Sequence, residues 1–198
     1  MDYDEALAYS NEIVSLLFRY CMRLQSTGAL RRKEVKVDPV EMLACPQVVE
    51  ANSYWNQAHR PGGEPPGRDR LEAGIAALAQ KGALKLVESS RAASFPAGAG
   101  RGPRYLLEYR GALVVVYTVN RLSEWGVEFL LRTGDDDFVE FLVRKAAEKG
   151  LAIIHGQLQA DGKPVDAPEE SDVLTRLGLE WVEPDNRNRD FVRRRFTP

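Results

Sequence analysis

The sequence predicts an α+β protein, and three observations support that class. Apolar residues recur at roughly helical spacing from Tyr3 to about Leu24. Two β-rich runs flank a tight turn at Arg110–Gly111, which is typical of a β-hairpin. Finally, 198 residues with 44% hydrophobic content can bury a sizeable core in one domain, or in one domain with a small satellite.

The first half of the chain is expected to contain two helices and one strand. In chain order these are a helix from Tyr3 to about Leu24, a strand over residues 35–45 that Pro46 ends, and a helix that contains Leu71, Ile75 and Leu78 and ends at Gly82. Residues 60–67 are too rich in proline and glycine for a regular element, so we expect an exposed loop there.

The second half begins with the hairpin and continues with helices and short strands. Its expected elements are strands over residues 105–109 and 112–119, helices over 124–132 and 138–149, strands over 151–159 and 163–165, and a short helix over 168–177. Residues 97–103 are expected to top a further hairpin. Asp135, Asp136 and Asp137 stand at a predicted helix start, where acids complement the free amides, and this favours capping over a metal site.

Composition excludes several classes of function. A net charge of −2 makes no general case for nucleic-acid binding, so any such surface must come from local clustering. Cys21 and Cys45 lie in apolar surroundings without metal-ligand spacing, and we expect buried, reduced thiols. No apolar run reaches the roughly 18 residues that span a bilayer, and the acidic start is unlike a signal peptide. We therefore expect a cytoplasmic protein without a membrane partner.

Three separate segments carry motifs in a recognisable order. Residues 28–32 read Gly-Ala-Leu-Arg-Arg and are followed by Asp38–Pro39–Val40–Glu41. Residues 125–134 begin with Trp-Gly and end with Thr-Gly, and residues 162–184 read from Gly-Lys-Pro-Val to Leu-Gly-Leu-Glu-Trp-Val-Glu-Pro. In this order the three segments resemble motifs of family X DNA polymerases, the family of DNA polymerase beta. The first resembles the family's Gly-Ser-x-Arg-Arg loop and the acidic strand that follows it. The second resembles the Thr-Gly turn below the incoming sugar, and the third resembles the end of the thumb.

The resemblance implies a nucleotidyltransferase palm over residues 1–132, with a mixed β-sheet flanked by helices, and a small thumb-like subdomain over residues 133–198. The resemblance is to the family in the short palm–thumb version that many phage and bacterial genomes encode. It also implies that a nucleoside triphosphate would be cradled by the loop and the Thr-Gly turn. The residues that match these two motifs are Gly28, Ala29, Arg31, Arg32, Thr133 and Gly134. Ala29 replaces the serine of the family, so the hydroxyl that would bind the nucleotide is missing.

Catalysis in the family uses two divalent ions held by three carboxylates, and here the sequence departs from that pattern. Glu41 matches the second acid, but its i−2 neighbour on the same face of a strand is Pro39. Asp38 lies at i−3 and would reach that face only through a bulge. Residues 114–116, all valine, fill every position expected for the third acid. Glu108 is the nearest substitute, and we expect it to be a solvated cross-strand partner.

Glu41 and Asp38 are therefore the candidate catalytic and metal-binding residues, and Mg²⁺ is expected only if the protein is active. Arg193, Arg194 and Arg195, with Arg187 and Arg189, form a basic tail. Such clusters bind the phosphates of nucleotides or DNA, although a solubilising tail would have the same composition.

Three functions remain open. The first, which we favour because two of three metal ligands are replaced, is a catalytically degenerate nucleotidyltransferase that binds nucleotide, nucleic acid or a protein partner. The second is an active nucleotidyltransferase or small repair polymerase with metal ligands drawn from Asp38, Glu41, Glu108 or residues 135–137. The third is a phage-encoded interaction or regulatory protein without nucleotide affinity.

Overall fold

A computed structural model of the chain describes residues 1–47, 70–90 and 104–196. The helices in these ranges are α1 (Tyr3–Leu17), α2 (Gly28–Arg31), α3 (Arg70–Gln80), α4 (Trp125–Thr133), α5 (Asp136–Glu148), α6 (Glu170–Arg176) and α7 (Arg189–Phe196). The strands are β1 (Cys21–Ser26), β2 (Val40–Pro46), β3 (Lys85–Ser90), β4 (Arg104–Tyr109), β5 (Ala112–Thr118), β6 (Leu151–Ile154), β7 (Gln157–Ala160) and β8 (Lys163–Val165). Short 3₁₀ turns lie at Phe18–Tyr20, Leu122–Glu124 and Pro184–Asn186.

The strands form two sheets, and the prediction of an α+β fold with a mixed sheet is confirmed. The larger sheet has the order β1-β2-β5-β4-β3. Its central pair, β2 and β5, is parallel, whereas the other neighbours are antiparallel. The smaller sheet is an antiparallel meander of β6, β7 and β8.

The predicted first helix is too long, because α1 ends at Leu17 and residues 21–26 form strand β1. The apolar spacing misled the prediction since Cys21 and Leu24, both buried, are three residues apart. In β1 this spacing arises from an irregularity: the pairing register with β2 shifts between Cys21 and Arg23. A bulge of this kind adds a residue to the strand and imitates helical periodicity.

The predicted strand over residues 35–45 begins later, at Val40, and includes Pro46. The residues before it are bonded to the N-terminus instead of to the sheet. Lys36 forms an isolated bridge with Asp2, and the Val37 amide donates to the Met1 carbonyl at 3.1 Å. Val35 is 82% exposed.

Residues 151–159 are not one strand but the two antiparallel strands β6 and β7. His155 and Gly156, with φ of 51° and 75°, form the turn between them. Two successive residues at positive φ are the requirement of the tight hairpin turn that matches strand twist. Histidine gives a weak turn signal, which is why the sequence pattern did not reveal the break.

The remaining expected elements are confirmed within one or two residues at their ends. They are the second helix (α3), the hairpin of β4 and β5, the helices α4, α5 and α6, and strand β8. Asp135 caps α5, since its Oδ1 accepts from the Phe138 amide at 2.8 Å, as predicted for the acidic triplet. The proline- and glycine-rich segments 60–67 and 97–103 lie outside the described residues.

The larger sheet is covered on both faces. On one face, residues of β2 and β5 pack against α1 and α3; the cluster includes Ile13, Leu17, Met42, Leu71, Ile75, Val114 and Val116. On the other face, Leu43, Cys45 and Val119 pack against Trp125 and Phe129 of α4. A further core joins α4 to α5, α6 and the smaller sheet through buried residues such as Leu130, Phe138, Phe141, Leu158 and Leu174. Helix α4 therefore belongs to two cores.

Both cysteines are buried and lie outside any disulfide, as predicted. Among the described residues, no helix combines the length and the apolar character that crossing a bilayer would need.

Gly126 allows the start of α4 to approach the segment before α6. Its amide donates to the Ala167 carbonyl at 3.0 Å, and the Ala167 amide donates to the Ser123 carbonyl at 3.0 Å. A Cβ at Gly126 would overlap the Glu169 carbonyl and lie 2.6 Å from the Ala167 oxygen. Because both obstacles are backbone atoms, a side chain here would force the two segments apart.

The Gly126→Ala substitution is expected to lower the free energy of unfolding by about 1–3 kcal/mol, the usual cost of overpacking. The sign of this change in the free energy of unfolding is diagnostic. Replacing an unobstructed helical glycine by alanine stabilises a protein by about 0.5–1 kcal/mol. Urea denaturation followed by circular dichroism measures the change. Glu140→Ala, on the exposed side of α5, is the control and should stay close to wild type. A stabilised Gly126→Ala protein would contradict the close approach.

Candidate functional site

The loop that was predicted to cradle a nucleotide forms the short helix α2 beside strand β2. The Thr27 amide donates to the Glu41 carbonyl at 2.8 Å, which ties the loop to the strand. Gly28 has a φ of 58°, and a Cβ there would overlap the Glu41 carboxylate. Glycine is thus required at this position by both the backbone conformation and the acid that packs over it.

Glu41 is hydrogen-bonded within the protein. Its Oε1 accepts from the Tyr117 hydroxyl at 3.0 Å. Burial raises the pKa of Glu41, and the Tyr117 hydrogen bond and the charges of Arg132 and Arg32 oppose that rise. Burial, followed by the Glu41 charge, raises the pKa of Tyr117 to about 12, so Tyr117 remains a neutral donor over the physiological range.

Among the described residues, no second carboxylate faces Glu41 from the neighbouring positions of the sheet. In the parallel pairing, Glu41 lies opposite Val115, and Tyr117 lies two residues further along β5. Pro39 occupies the i−2 position, and Asp38 is exposed. Divalent Mg²⁺ binds oxygen ligands in a near-ideal octahedron, and proline and valine side chains supply none. The residues at this point therefore do not fit a two-metal site.

The substitute acids considered from the sequence lie elsewhere. Glu108 bonds to Lys85 across strands β4 and β3 at 3.0 Å, so the expectation of a cross-strand partner is confirmed. Asp135 caps α5, and its second oxygen accepts from the Arg189 amide at 2.8 Å. In the described ranges, no group of three or more histidine, cysteine or acidic side chains is arranged to hold a metal ion.

Arg31 links the α2 loop to the C-terminal part of the chain through Glu170. Its two terminal nitrogens donate to the two Glu170 oxygens, each at 2.6 Å, and Nη1 also donates to Thr133 Oγ1 at 2.7 Å. The same guanidinium lies 3.8 Å from the ring centre of Phe129. These contacts use the flat, bidentate geometry that arginine would otherwise offer to a phosphate.

Glu170 is shared with a second arginine, Arg187, which is 0% exposed. Arg187 Nη1 and Nη2 donate to the two Glu170 oxygens at 2.5 and 3.3 Å, and its Nε donates to the Val182 carbonyl at 3.0 Å. Burial alone would raise the pKa of Glu170, but the bonds to Arg31 and Arg187 outweigh it and the pKa is lowered. The expectation that Arg187 belongs to the basic tail is wrong, because Arg187 is buried and neutralises the buried acid Glu170.

Arg32 lies next to this triad and is mostly covered. Its Nη1 donates to the Thr133 carbonyl and its Nε to Glu34 Oε1, both at 2.7 Å. Gly134 ends α4, and a Cβ there would lie 2.5 Å from a ring carbon of Phe138. The structure thus brings together Arg31, Arg32 and Thr133, which the resemblance assigned to one nucleotide site.

Sequence reasoning missed the partners that surround the predicted residues. Tyr117 binds Glu41, and Arg132 stacks 3.9 Å from the Tyr117 ring centre while its Nε donates to buried Glu128 at 3.1 Å. The alternation of β5 placed residue 117 on the same face as residue 115, so Tyr117 could have been found. Glu170 had no comparable signal, because it stands in an ordinary helix-start sequence.

The arginines predicted to bind nucleic acid lie apart from this site, on helix α7. Arg193, Arg194 and Arg195 are exposed there. Arg189 is also exposed and lies 3.7 Å from Asp137.

Replacing Glu170 by glutamine is expected to destabilise the protein by about 3–5 kcal/mol, because it leaves the Arg187 charge buried without compensation. Since the folded pKa is lowered, the stabilisation by Glu170 is fully present above the unfolded value of about 4.3 and is lost as pH falls through the folded value. The difference in the free energy of unfolding between wild type and Glu170→Gln, measured by urea denaturation, should therefore become smaller in acid.

Glu148→Gln is the matched control, since it removes a half-exposed acid paired with Lys145 at 2.7 Å. An exposed pair contributes at most about 1 kcal/mol. If Glu170→Gln and Glu148→Gln lowered the free energy of unfolding equally, the triad would have no structural role.

Comparison with known protein families gives a match for the C-terminal part of the chain. Residues 129–188, from the middle of α4 to the residue before α7, match the model of the DNA polymerase beta thumb. No curated protein matches the chain. The matched range contains Thr133, Glu170 and Arg187, so it includes two members of the buried triad. The similarity is therefore to the thumb part of that family, and it covers less than a third of the chain.

Proposed function

We propose that this chain is a polymerase beta-like protein that binds DNA and no longer transfers nucleotides. The thumb match supports the first part of this proposal. The second part rests on one observation: among the described residues, Glu41 is the single carboxylate at the centre of the sheet, and it accepts a hydrogen bond from Tyr117. Two-metal phosphoryl transfer needs several carboxylates on one face, and Val115 and Pro39 stand where the others would be.

The N-terminal part is proposed to be a nucleotidyltransferase palm that ends near residue 132, followed by the thumb over residues 133–198. The support is the mixed five-stranded sheet, covered by α1 and α3 on one face and by α4 on the other. The motif residues Arg31, in the proposed palm, and Thr133, at the start of the proposed thumb, lie in contact.

Within the predicted nucleotide site, the two loop arginines are proposed to have different roles. Arg31 forms an ion pair with Glu170 and so links the α2 loop to helix α6. Arg32 is the candidate phosphate contact, because its side-chain partner Glu34 is 47% exposed and can turn to solvent. The neighbouring Glu41 carboxylate would repel a phosphate, although burial raises its pKa and favours its neutral form.

Purified protein is expected to incorporate no nucleotide into a gapped duplex in Mg²⁺ or Mn²⁺, because the carboxylates that would hold two metals are replaced. Primer extension resolved on a denaturing gel measures this. Glu41→Ala is the matched control, since any signal equal in both proteins is a contaminant. Metal-dependent extension by wild type that Glu41→Ala abolishes would overturn the proposal and favour the active-enzyme alternative.

Nucleoside triphosphate is expected to bind with the same affinity in Mg²⁺ and in EDTA, and Arg32→Gln should weaken binding about tenfold or more through the loss of a charge-assisted hydrogen bond. Isothermal titration calorimetry measures both effects. Arg19→Gln, an exposed arginine after α1, should leave binding unchanged. Binding that requires Mg²⁺ would indicate a working metal site. The absence of any binding would leave the palm as a scaffold for a partner.

A further inference from the structure

Helix α7 begins one residue after the segment that matches the polymerase beta thumb. It contains four arginines and one aspartate, a net charge of +3 in eight residues of a chain whose total charge is −2. The thumb match therefore does not account for this helix, and its charge is opposite to that of the molecule as a whole.

The helix is fixed to the thumb. The Phe191 ring packs against Phe138 and Phe141 of α5, with ring centres 5.8 Å apart in both cases. Asn188 Oδ1 accepts from the Asp190 and Phe191 amides at 3.1 and 3.2 Å, and so caps the first turn. Because it is anchored at its start and along one side, the helix holds its arginines in a defined place.

The cations of α7 and α5 meet around this aromatic cluster. Arg195 lies 5.2 Å from the Phe191 ring centre, and Lys145 lies 5.9 Å from that of Phe141. Successive residues of an α-helix are about 100° apart around the helix axis, so Arg193 and Arg194 point away from the side of α7 on which residues 191 and 192 pack. We call the four residues Lys145, Arg193, Arg194 and Arg195 the α7 patch. Within the patch, Arg194 Nε donates to the backbone carbonyl of Asp190 at 3.3 Å, and Lys145 pairs with Glu148 at 2.7 Å.

We propose that the α7 patch binds the phosphate backbone of duplex DNA without reading its sequence, as a contact additional to the matched thumb. Guanidinium groups bind phosphate oxygens through paired hydrogen bonds, and a fixed cluster of them needs little ordering on binding. The inference rests on the proposed DNA-binding function, but it uses residues outside the palm loop and the buried triad.

A bilayer surface is the other polyanion that a basic helix could bind, and the packing of α7 argues against it. Interfacial helices insert a free apolar face into the lipid. The apolar residues of α7 at positions 191 and 192 are already partly buried in the thumb core. Among the α7 side chains that the structure describes, none therefore forms a free apolar face for insertion.

The test is fluorescence anisotropy of a labelled short duplex with full-length protein, between about 50 and 200 mM salt. The combined variant Arg193→Gln, Arg194→Gln, Arg195→Gln should bind at least about tenfold more weakly. Its slope of log affinity against log salt should fall by about 2–3, or about 0.9 for each phosphate that the variant no longer neutralises. Restoring the charge with lysine at the same three positions should restore most of the binding, which separates charge from folding.

The matched control is Lys81→Gln, Lys85→Gln, Arg110→Gln, which removes the same charge from exposed positions near the α3–β3 connection, outside the α7 patch. An equal loss in this control would overturn the proposal, because net charge alone would explain it. Wild-type affinity in the α7 variant would overturn it while leaving the proposed DNA-binding function intact. Failure of the wild-type protein to bind duplex would overturn both. Binding of phosphatidylserine vesicles in preference to duplex would overturn the choice of partner.

Discussion

The position of the C-terminal part on the sheet depends on the buried ion triad of Arg31, Glu170 and Arg187. Arg31 and Glu170 are 139 residues apart, and their bidentate pair connects the α2 loop to the start of α6. Arg187 completes the charge balance from inside the core. A buried carboxylate is tolerated only when its charge is paired and its oxygens are hydrogen-bonded, and two arginines achieve both. The C-terminal part of the chain thereby fixes the geometry of the loop.

The polar residues of the candidate site are also tied to one another and to helix α4. Helix α4 covers the face of the sheet that carries Glu41, with Trp125 and Phe129 packed on β2 and with Arg132 stacked on Tyr117. Glu41, Tyr117, Arg132 and Glu128 are consecutive contacts between the sheet and α4. Polar groups that an active site would direct to a metal and a substrate are here bound to one another. Such a network rigidifies a structure because its members hold one another in place.

Sequence patterns predicted the elements whose signals are strong and local. The hairpin around Arg110–Gly111 and the helix capped by Asp135 were predicted correctly, because turn chemistry and capping act between near neighbours. The strand β1 and the turn at His155–Gly156 were missed, since a register shift and a weak turn residue hide them in the pattern. Of the site, the sequence indicated Gly28, Arg31, Arg32, Thr133 and Glu41, and the structure places them within one region.

By itself, the sequence determined what the side chains at the centre of the sheet can do. Valine at 115 and proline at 39 have no side-chain donor atom for a cation in any fold, so residue identity alone excludes them as metal ligands. Only the tertiary structure decided which charges are buried and which face solvent. Arg187 and Arg193 are the same residue type six positions apart, yet the first is buried against Glu170 and the second is exposed on α7. Burial and pairing depend on residues brought together from distant parts of the chain, and no local pattern encodes them.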